Sequence, residues 1–366
     1  MAYSNCFLNR IIGRAMQRAI YRIIDANFNR GREALRMIEE FCRFGLNSER
    51  LTARAKQLRH ELSAAINKLD SLGLIVCRDA AGDVGACRTA DSQLARRDLK
   101  DAFTAGCKRL TEALRVLAET VQTQDVLLAE KLEALRFAAY ELEKDIVVFG
   151  EPAEKFKRVG LYVIITSDLP AEIISLGVKC AGAGADCLQL RAKGMPDRSL
   201  FAVAEEFVRI CRDANVVSII NDRADIAVAA GADGVHLGQE DLGAGQVRKL
   251  QASPLIIGIS THSPGQLVTA CAKLPTYVSL GPVFATDTKP SAVPVGLEYV
   301  RAGVKQLEGT GIAAVAVGGI GPDDVGGVLE AGADCIAVCS AVTRAKDPAA
   351  ACRSFRERID AVRQEE

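Results

Sequence analysis

Residues 216–241 read VVSIINDRADIAVAAGADGVHLGQED, and this stretch decides the fold of the second half of the chain. Two short apolar runs, 216–220 and 234–237, are separated by a segment of helix length, and an aspartate follows each run. A strand–helix–strand unit of this kind makes its two strands parallel. Asp222 and Asp241 are therefore expected at the same end of the sheet, where parallel α/β folds place their functional sites.

Strand and helix signals go on alternating on both sides of this unit. The predicted strands are 161–166, 187–191, 216–221, 234–237, 255–260, 277–281, 314–317 and 335–338. Three helix-to-strand junctions read Ala-Gly-Ala-Asp, with glycine where a helix end needs a left-handed residue. Eight strands alternating with helices predict a (β/α)8 TIM barrel over residues 160–366, and a doubly wound open sheet is the alternative.

The end of the second predicted strand carries an amide and two cations. Gln189, Arg191 and Lys193 occupy alternate positions, which places them on one face, the barrel interior and its mouth. Because buried cations without partners are costly, two cations at a barrel mouth imply an anionic ligand.

Polar or small residues also end the later strands, where a barrel binds phosphate through loops and backbone N–H groups. They are Asn221, Ser260, Thr286, Thr288, Lys289, Gly319, Cys339 and Ser340. Asp222 and Asp241 add two hard oxygen ligands with open positions, which suit Mg²⁺. The chain has 3 histidines and no histidine pair with ligand spacing, so we expect no zinc site and interpret His236 as structural.

The first half is predicted to be all-helical, with an internal repeat. Arg-x-x-Glu-Ala-Leu-Arg-x-x-x-Glu occurs at 30–40 and again at 109–119. A second helical run follows each copy, which predicts two related helical hairpins packed with pseudo-two-fold symmetry. The repeated charges form either a solvated face of ion pairs or an Arg/Glu cluster that lines an anion site.

Composition sets the remaining expectations. We predict a helical domain over 1–150, a charged linker with Pro152 over 151–159, and the barrel over 160–366. The net charge is 0, so nothing favours nucleic acid or a membrane surface as a partner. The 12 cysteines are scattered without a Cys-x-x-Cys motif, as in a cytoplasmic protein with reduced thiols. We expect small-molecule substrates and a homo-oligomer.

The motifs of the second half resemble, in order and spacing, those of the thiamine phosphate synthase family. They are Gln189-Leu190-Arg191-x-Lys193, Asn221-Asp222, the run 231–242, Thr286-x-Thr288-Lys289 and Gly318-Gly319-Ile320. The resemblance covers residues 158–345. A thiazole tautomerase shares the same barrel, but the intact Gln/Arg/Lys and Asn-Asp motifs favour the synthase.

The resemblance implies a transferase that joins hydroxymethylpyrimidine diphosphate to thiazole phosphate, giving thiamine phosphate and diphosphate. It implies that the pyrimidine diphosphate is held by Gln189, Arg191, Lys193, Asn221, Ser260 and Lys289. It assigns Mg²⁺ to Asp222 and Asp241. It assigns the thiazole phosphate to Thr286, Thr288, Gly319, Cys339 and Ser340. We expect Lys193, Ser260 and Lys289 to take part in catalysis.

Two other functions remain for the barrel. A non-catalytic or tautomerase-like barrel would bind thiazole or thiamine phosphate, and an isomerase would need an acid/base pair at the strand ends, which the sequence does not offer. Loss of diphosphate needs charge neutralisation on the leaving group rather than proton abstraction, which agrees with the synthase.

The first half resembles, less specifically, a helical domain proposed as an alternative hydroxymethylpyrimidine phosphate kinase. The resemblance rests on the repeat and on an Asp-Val-Gly loop at 83–85. No Gly-x-x-x-x-Gly-Lys phosphate loop is present. A second pathway enzyme, an oligomerisation module and a regulatory anion-binding domain are the three hypotheses for this half.

Overall fold

The structure is a computed structural model that describes residues 2–84, 96–250, 253–286 and 292–365, with side chains from Arg14 to Gln364. The chain divides into two compact units, Met1–Ile146 and Val147–Glu366. Thr288 and Lys289 lie outside the described residues, as does the end of the predicted 83–85 loop.

Helices make up the described part of the first unit. They are Ala2–Glu40, Glu49–Ile66, Ser71–Val76, Leu99–Val121 and the beginning of Val126–Phe156, with a π-helical turn at Phe41–Gly45. Side chains that accept backbone N–H groups start three of them, at Ser48, Asp70 and Asp98. Each such cap satisfies one of the amides that a helix start leaves without an acceptor. The prediction of a helical first half is confirmed.

The two copies of the repeat form equivalent helix faces. Ala34 and Leu35 are buried, as are Ala113 and Leu114 in the second copy. The charges outside this apolar stripe form ion pairs along each helix, and Arg115 also contacts Glu133 of the following helix at 3.6 Å. Arg36 contacts Glu40 at 2.5 Å, and Arg115 contacts Glu119 at 2.6 Å. The repeat therefore encodes an amphipathic packing face with exposed i,i+4 ion pairs, which contribute little stability.

Eight parallel strands form a closed barrel in the order β1 to β8. The strands are β1 Leu161–Thr166, β2 Cys187–Arg191, β3 Val217–Asn221, β4 Gly234–Leu237, β5 Ile256–Thr261, β6 Tyr277–Leu280, β7 Ala313–Val317 and β8 Cys335–Val338. The helices between and after them are Pro170–Ala181, Asp197–Asp213, Ala224–Ala229, Ala244–Leu250, Pro264–Cys271, Gly296–Leu307, Val325–Glu330, Ser340–Thr343 and Pro348–Glu365, with a 3₁₀ turn at Pro322–Asp324. The TIM barrel is confirmed, and the open-sheet alternative is wrong because β1 pairs with β8.

The three Ala-Gly-Ala-Asp junctions lie at the amino ends of strands β2, β4 and β8. Their glycines, at 184, 231 and 332, all have positive φ, as predicted. Each following aspartate accepts hydrogen bonds from the preceding strand. Asp186 binds the amides of Gly160 and Leu161, Asp233 binds Ser218, and Asp334 binds the amide of Ala314. One tetrapeptide therefore ends a helix and fixes the next strand to its neighbour.

The segment predicted as a linker is helical as far as Phe156. Phe156 is buried, and its ring stacks on Tyr277 with 4.4 Å between centroids and 8° between planes. Val159 belongs to the same apolar cluster inside the barrel. The charged residues and Pro152 indicated an open linker, but burial of Phe156 against the barrel outweighs that local signal.

Candidate active site

A cavity of about 850 Å³ opens at the carboxyl ends of the strands. The predicted site residues that line it are Gln189, Arg191, Lys193, Asn221, Asp222, Asp241, Ser260, Thr286, Gly319, Cys339 and Ser340. The cavity therefore brings together every candidate that the structure describes.

Asp222 and Asp241 face each other at the rim of the cavity. The Asp222 residue has φ of +62°, and its amide donates to the carbonyl of His236 at 2.8 Å. Asp241 Oδ2 accepts the amide of Gly238 at 2.6 Å. Burial raises the pKa of Asp241, and the Asp222 carboxylate adds to this effect by hydrogen bonding and by like charge. Two carboxylates in this arrangement are electrostatically suited to a shared cation.

Lys193 is the cation beside this pair. Its Nζ lies 3.2 Å from Asp222 Oδ2, and its side chain is 58% exposed. An exposed pair of this kind contributes only about 0–1 kcal/mol, so Lys193 can exchange Asp222 for an anionic ligand at little cost.

Arg191 is half-buried at the end of β2 and lines the same cavity. Among the residues that the structure describes, its guanidinium has no carboxylate partner. A partly desolvated guanidinium without a counter-ion favours an anionic ligand, preferably one with planar or phosphate oxygens.

Gly318 and Gly319 form the turn after β7, with φ of +103° and +67°. A Cβ on Gly318 would overlap Pro282, and one on Gly319 would overlap the backbone of Ala285. The turn therefore packs against the loop after β6 in a conformation that only glycine permits. Cys339 and Ser340 lie at the end of β8 beside it, where barrels bind phosphate.

The inner wall of the cavity holds residues that the sequence analysis missed. Gln189 Nε2 donates to Tyr162 Oη at 2.6 Å, and the hydroxyls of Tyr162 and Tyr277 lie 2.9 Å apart. His236 lies 3.0 Å from Tyr277 through Nδ1 and 2.8 Å from Ser260 through Nε2. His236 thus lines the active-site cavity as well as being hydrogen-bonded. Its polar position in an otherwise apolar strand, next to a strand ending in serine, was the available signal.

The donor set fits Mg²⁺ better than zinc. Within the described ranges no three His, Cys, Asp or Glu side chains converge as ligands. Two facing carboxylates leave most coordination positions open, as Mg²⁺ requires when it also binds water and phosphate oxygens.

The closed barrel, the glycine turn and a cavity lined by Arg191 and Lys193 at the carboxyl ends of the strands define a TIM-barrel enzyme with a site suited to anionic ligands. Residues 161–342 match the family described as "Thiamine monophosphate synthase", and residues 22–145 match the "ThiD2 family". The chain belongs to the thiamine-phosphate synthase family.

Similar proteins support this assignment along most of the chain. The thiamine-phosphate synthase of Rhodopirellula baltica is 38% identical over 336 residues, covering 90% of this chain and 89% of the relative. That of Synechocystis is 36% identical, covering 90% and 93%. The solved thiamine phosphate pyrophosphorylase from Pyrococcus furiosus is 33% identical and covers 57% of this chain and 98% of its own, with a TM-score of 0.52. No helix in the described residues is long and apolar enough to cross a membrane.

Proposed function

We propose that the barrel condenses 4-amino-2-methyl-5-(diphosphooxymethyl)pyrimidine with 4-methyl-5-(2-phosphooxyethyl)thiazole, giving thiamine phosphate and diphosphate. The observation that carries the proposal is the Arg191 guanidinium, which has no carboxylate partner in the part of the chain that the structure describes, beside Lys193 and two facing aspartates in one cavity. Membership of the synthase family supports the same reaction.

The reaction divides into two bond changes. The carbon–oxygen bond to the diphosphate breaks, and its electron pair leaves with the diphosphate oxygen. The pyrimidine stabilises the methylene cation that remains, and the thiazole nitrogen then forms the new carbon–nitrogen bond. No proton has to be removed before the first step, so the residues are needed mainly to stabilise negative charge on the leaving group.

We assign the diphosphate end to the residues of β2, β3 and β5. Arg191 and Lys193 bind phosphate oxygens, while Gln189, Asn221 and Ser260 orient the substrate, together with Lys289 by resemblance to the family. Asp222 and Asp241 hold Mg²⁺, which would neutralise charge on the departing diphosphate. Lys193 turns from Asp222 to the diphosphate when the substrate binds.

We assign the thiazole phosphate to the opposite side of the mouth. Gly319, Cys339 and Ser340 offer backbone N–H groups and a hydroxyl, Thr286 adds a further hydroxyl, and Thr288 is assigned here by resemblance to the family. Thr286, Gly319, Cys339 and Ser340 all line the same cavity.

For the helical unit we propose the preceding step, phosphorylation of the pyrimidine monophosphate. The match of residues 22–145 to the ThiD2 family supports it. The first helix of this unit also carries buried polar side chains: Asp25 and Asn27 are buried, and Arg78 donates to Asp25 at 2.6 and 2.7 Å. The alternatives are an oligomerisation module and a regulatory anion-binding domain, and we retain the homo-oligomer as a proposal.

The cellular location is also proposed. The ten cysteines whose side chains are described are free thiols, which fits a cytoplasmic protein.

One assay of the full chain tests both activities. Given Mg²⁺, pyrimidine diphosphate and thiazole phosphate, we expect thiamine phosphate and one equivalent of diphosphate without ATP. Given pyrimidine monophosphate instead, we expect product only when ATP is added. No product from the diphosphate refutes the synthase assignment, and no ATP-dependent product from the monophosphate refutes the kinase assignment alone.

A further inference from the structure

The side chains along the cavity wall form one continuous hydrogen-bond network, which begins on β2 and ends on β5. Its members are Gln189, Tyr162, Tyr277, His236 and Ser260. Gln189, Tyr162 and Tyr277 are at most 2% exposed, and Ser260 is 7% exposed. Buried polar groups of this kind are retained only when each hydrogen bond is satisfied.

Each hydroxyl in this hydrogen-bond network has one hydrogen, so the orientation of the Gln189 amide determines the direction of every other bond. Tyr162 accepts an amide hydrogen from Gln189, so its own hydrogen goes to Tyr277. Tyr277 then donates to Nδ1 of His236, which must be unprotonated to accept. The hydrogen of the neutral imidazole is therefore on Nε2, which donates to Ser260.

Ser260 is the last residue of the hydrogen-bond network and lines the substrate cavity. Its Oγ accepts from His236, and among the described residues no protein acceptor takes the hydroxyl hydrogen. We propose that this hydrogen-bond network fixes His236 as the Nε2–H tautomer and thereby holds the Ser260 hydroxyl as a hydrogen-bond donor to the leaving diphosphate. This proposal rests on the proposed function, and it makes His236 a positioning residue that acts through Ser260.

The residues packed around the two tyrosines hold the hydrogen-bond network in one arrangement. The Tyr277 ring stacks on Phe156 and is nearly parallel to the His236 ring, with 5.7 Å between the centroids of Tyr277 and His236. A Cβ on Gly258 would overlap the Tyr277 ring, so glycine in β5 makes room for it. Burial raises the pKa of Tyr162 and of Tyr277 well above the usual value, which keeps both hydroxyls protonated as donors.

Reversing the direction of these hydrogen bonds would change what Ser260 can offer to the substrate. If Gln189 presented its carbonyl to Tyr162, every bond would reverse and His236 would carry its hydrogen on Nδ1. Ser260 would then donate to His236 and could offer the diphosphate only lone pairs. The tautomer of His236 therefore decides between the two directions.

Nitrogen-15 NMR of the full chain labelled at histidine measures that tautomer directly. The chain has 3 histidines, and loss of one signal in His236→Gln assigns it. We expect the chemical shifts of a neutral ring protonated on Nε2. A ring protonated on Nδ1, or on both nitrogens, overturns the proposal.

Two substitutions of His236 separate its bonds. Glutamine places an amide near the Nε2 position and can still donate to Ser260, whereas asparagine reaches only toward Tyr277. For His236→Asn we expect kcat to fall roughly ten- to hundredfold with a smaller change in KM, and for His236→Gln most of the activity to return. His60→Asn, on an exposed helix position of the first unit, is the control and should be unchanged. Equal losses in both His236 variants, at unchanged melting temperature, contradict the proposal.

A double-mutant cycle shows whether His236 acts through Ser260. In a Ser260→Ala background we expect His236→Asn to change kcat less than about threefold. Effects that multiply instead overturn the positioning role. Wild-type kcat in Ser260→Ala itself would remove both the Ser260 assignment and this proposal, while turnover by the unaltered chain would still support the synthase.

Discussion

Replacing Asp222 by asparagine is expected to lower kcat/KM roughly a hundred- to thousandfold, corresponding to about 3–4 kcal/mol of transition-state stabilisation. The substitution keeps the volume but removes one of two facing charges. It leaves Asp241 as the only carboxylate of the proposed metal site and removes the ion-pair partner of Lys193. Steady-state assays over a range of Mg²⁺ concentrations measure the loss.

Asp225→Asn is the matched control for this substitution. Asp225 is three positions further along the chain, in the first turn of the helix Ala224–Ala229, but its carboxylate is bound by Arg223 at 2.9 and 2.7 Å, and it does not line the cavity. We expect activity close to that of the unaltered chain. Near-normal turnover in Asp222→Asn at any Mg²⁺ concentration contradicts the assignment of Asp222.

Replacing Phe156 by alanine is expected to lower the free energy of unfolding of the barrel by about 3–5 kcal/mol. Its ring is buried against both tyrosines of the cavity wall, stacked on Tyr277 and edge-on to Tyr162 at 6.4 Å. Removal leaves a cavity beneath Tyr277 that the rigid barrel cannot easily fill. Urea unfolding followed by circular dichroism measures the change.

An exposed phenylalanine provides the comparison. Phe44 is 68% exposed in the first unit, and Phe44→Ala should cost no more than about 0.5 kcal/mol. If Phe156→Ala lowers the free energy of unfolding as little as Phe44→Ala does, Phe156 does not stabilise the barrel. The helix end at 151–156 is then dispensable for the stability of the barrel.

The barrel was predictable because each strand is a short apolar run bounded by polar residues or glycine. The observed ends differ from the predicted ones by at most one residue, as at Val217 and Ala313. The candidate residues converged for the same reason. Parallel strands bring their carboxyl ends together, so position along the sequence fixes position around the rim.

The inner wall was not predictable from local patterns. Tyr162 and Tyr277 stand in apolar strands and resemble core residues, and 115 positions separate them in the sequence. Their hydroxyl contact, and the bond from Tyr277 to His236, exist only because the barrel closes. The helix end at 151–156 was predicted as part of a linker for a related reason, since the charges of this segment are local whereas Tyr277, the partner of Phe156, is distant in sequence.

The central claim is that Asp222 and Asp241 together hold the metal that stabilises the departing diphosphate. Calorimetric titration of Mg²⁺ into the full chain with inorganic diphosphate tests it most directly. We predict one ion per chain, with affinity lowered at least about tenfold, ~1.4 kcal/mol, in Asp222→Asn/Asp241→Asn and unchanged in Asp225→Asn. Binding of one Mg²⁺ by the double variant with the affinity of the unaltered chain would contradict the account.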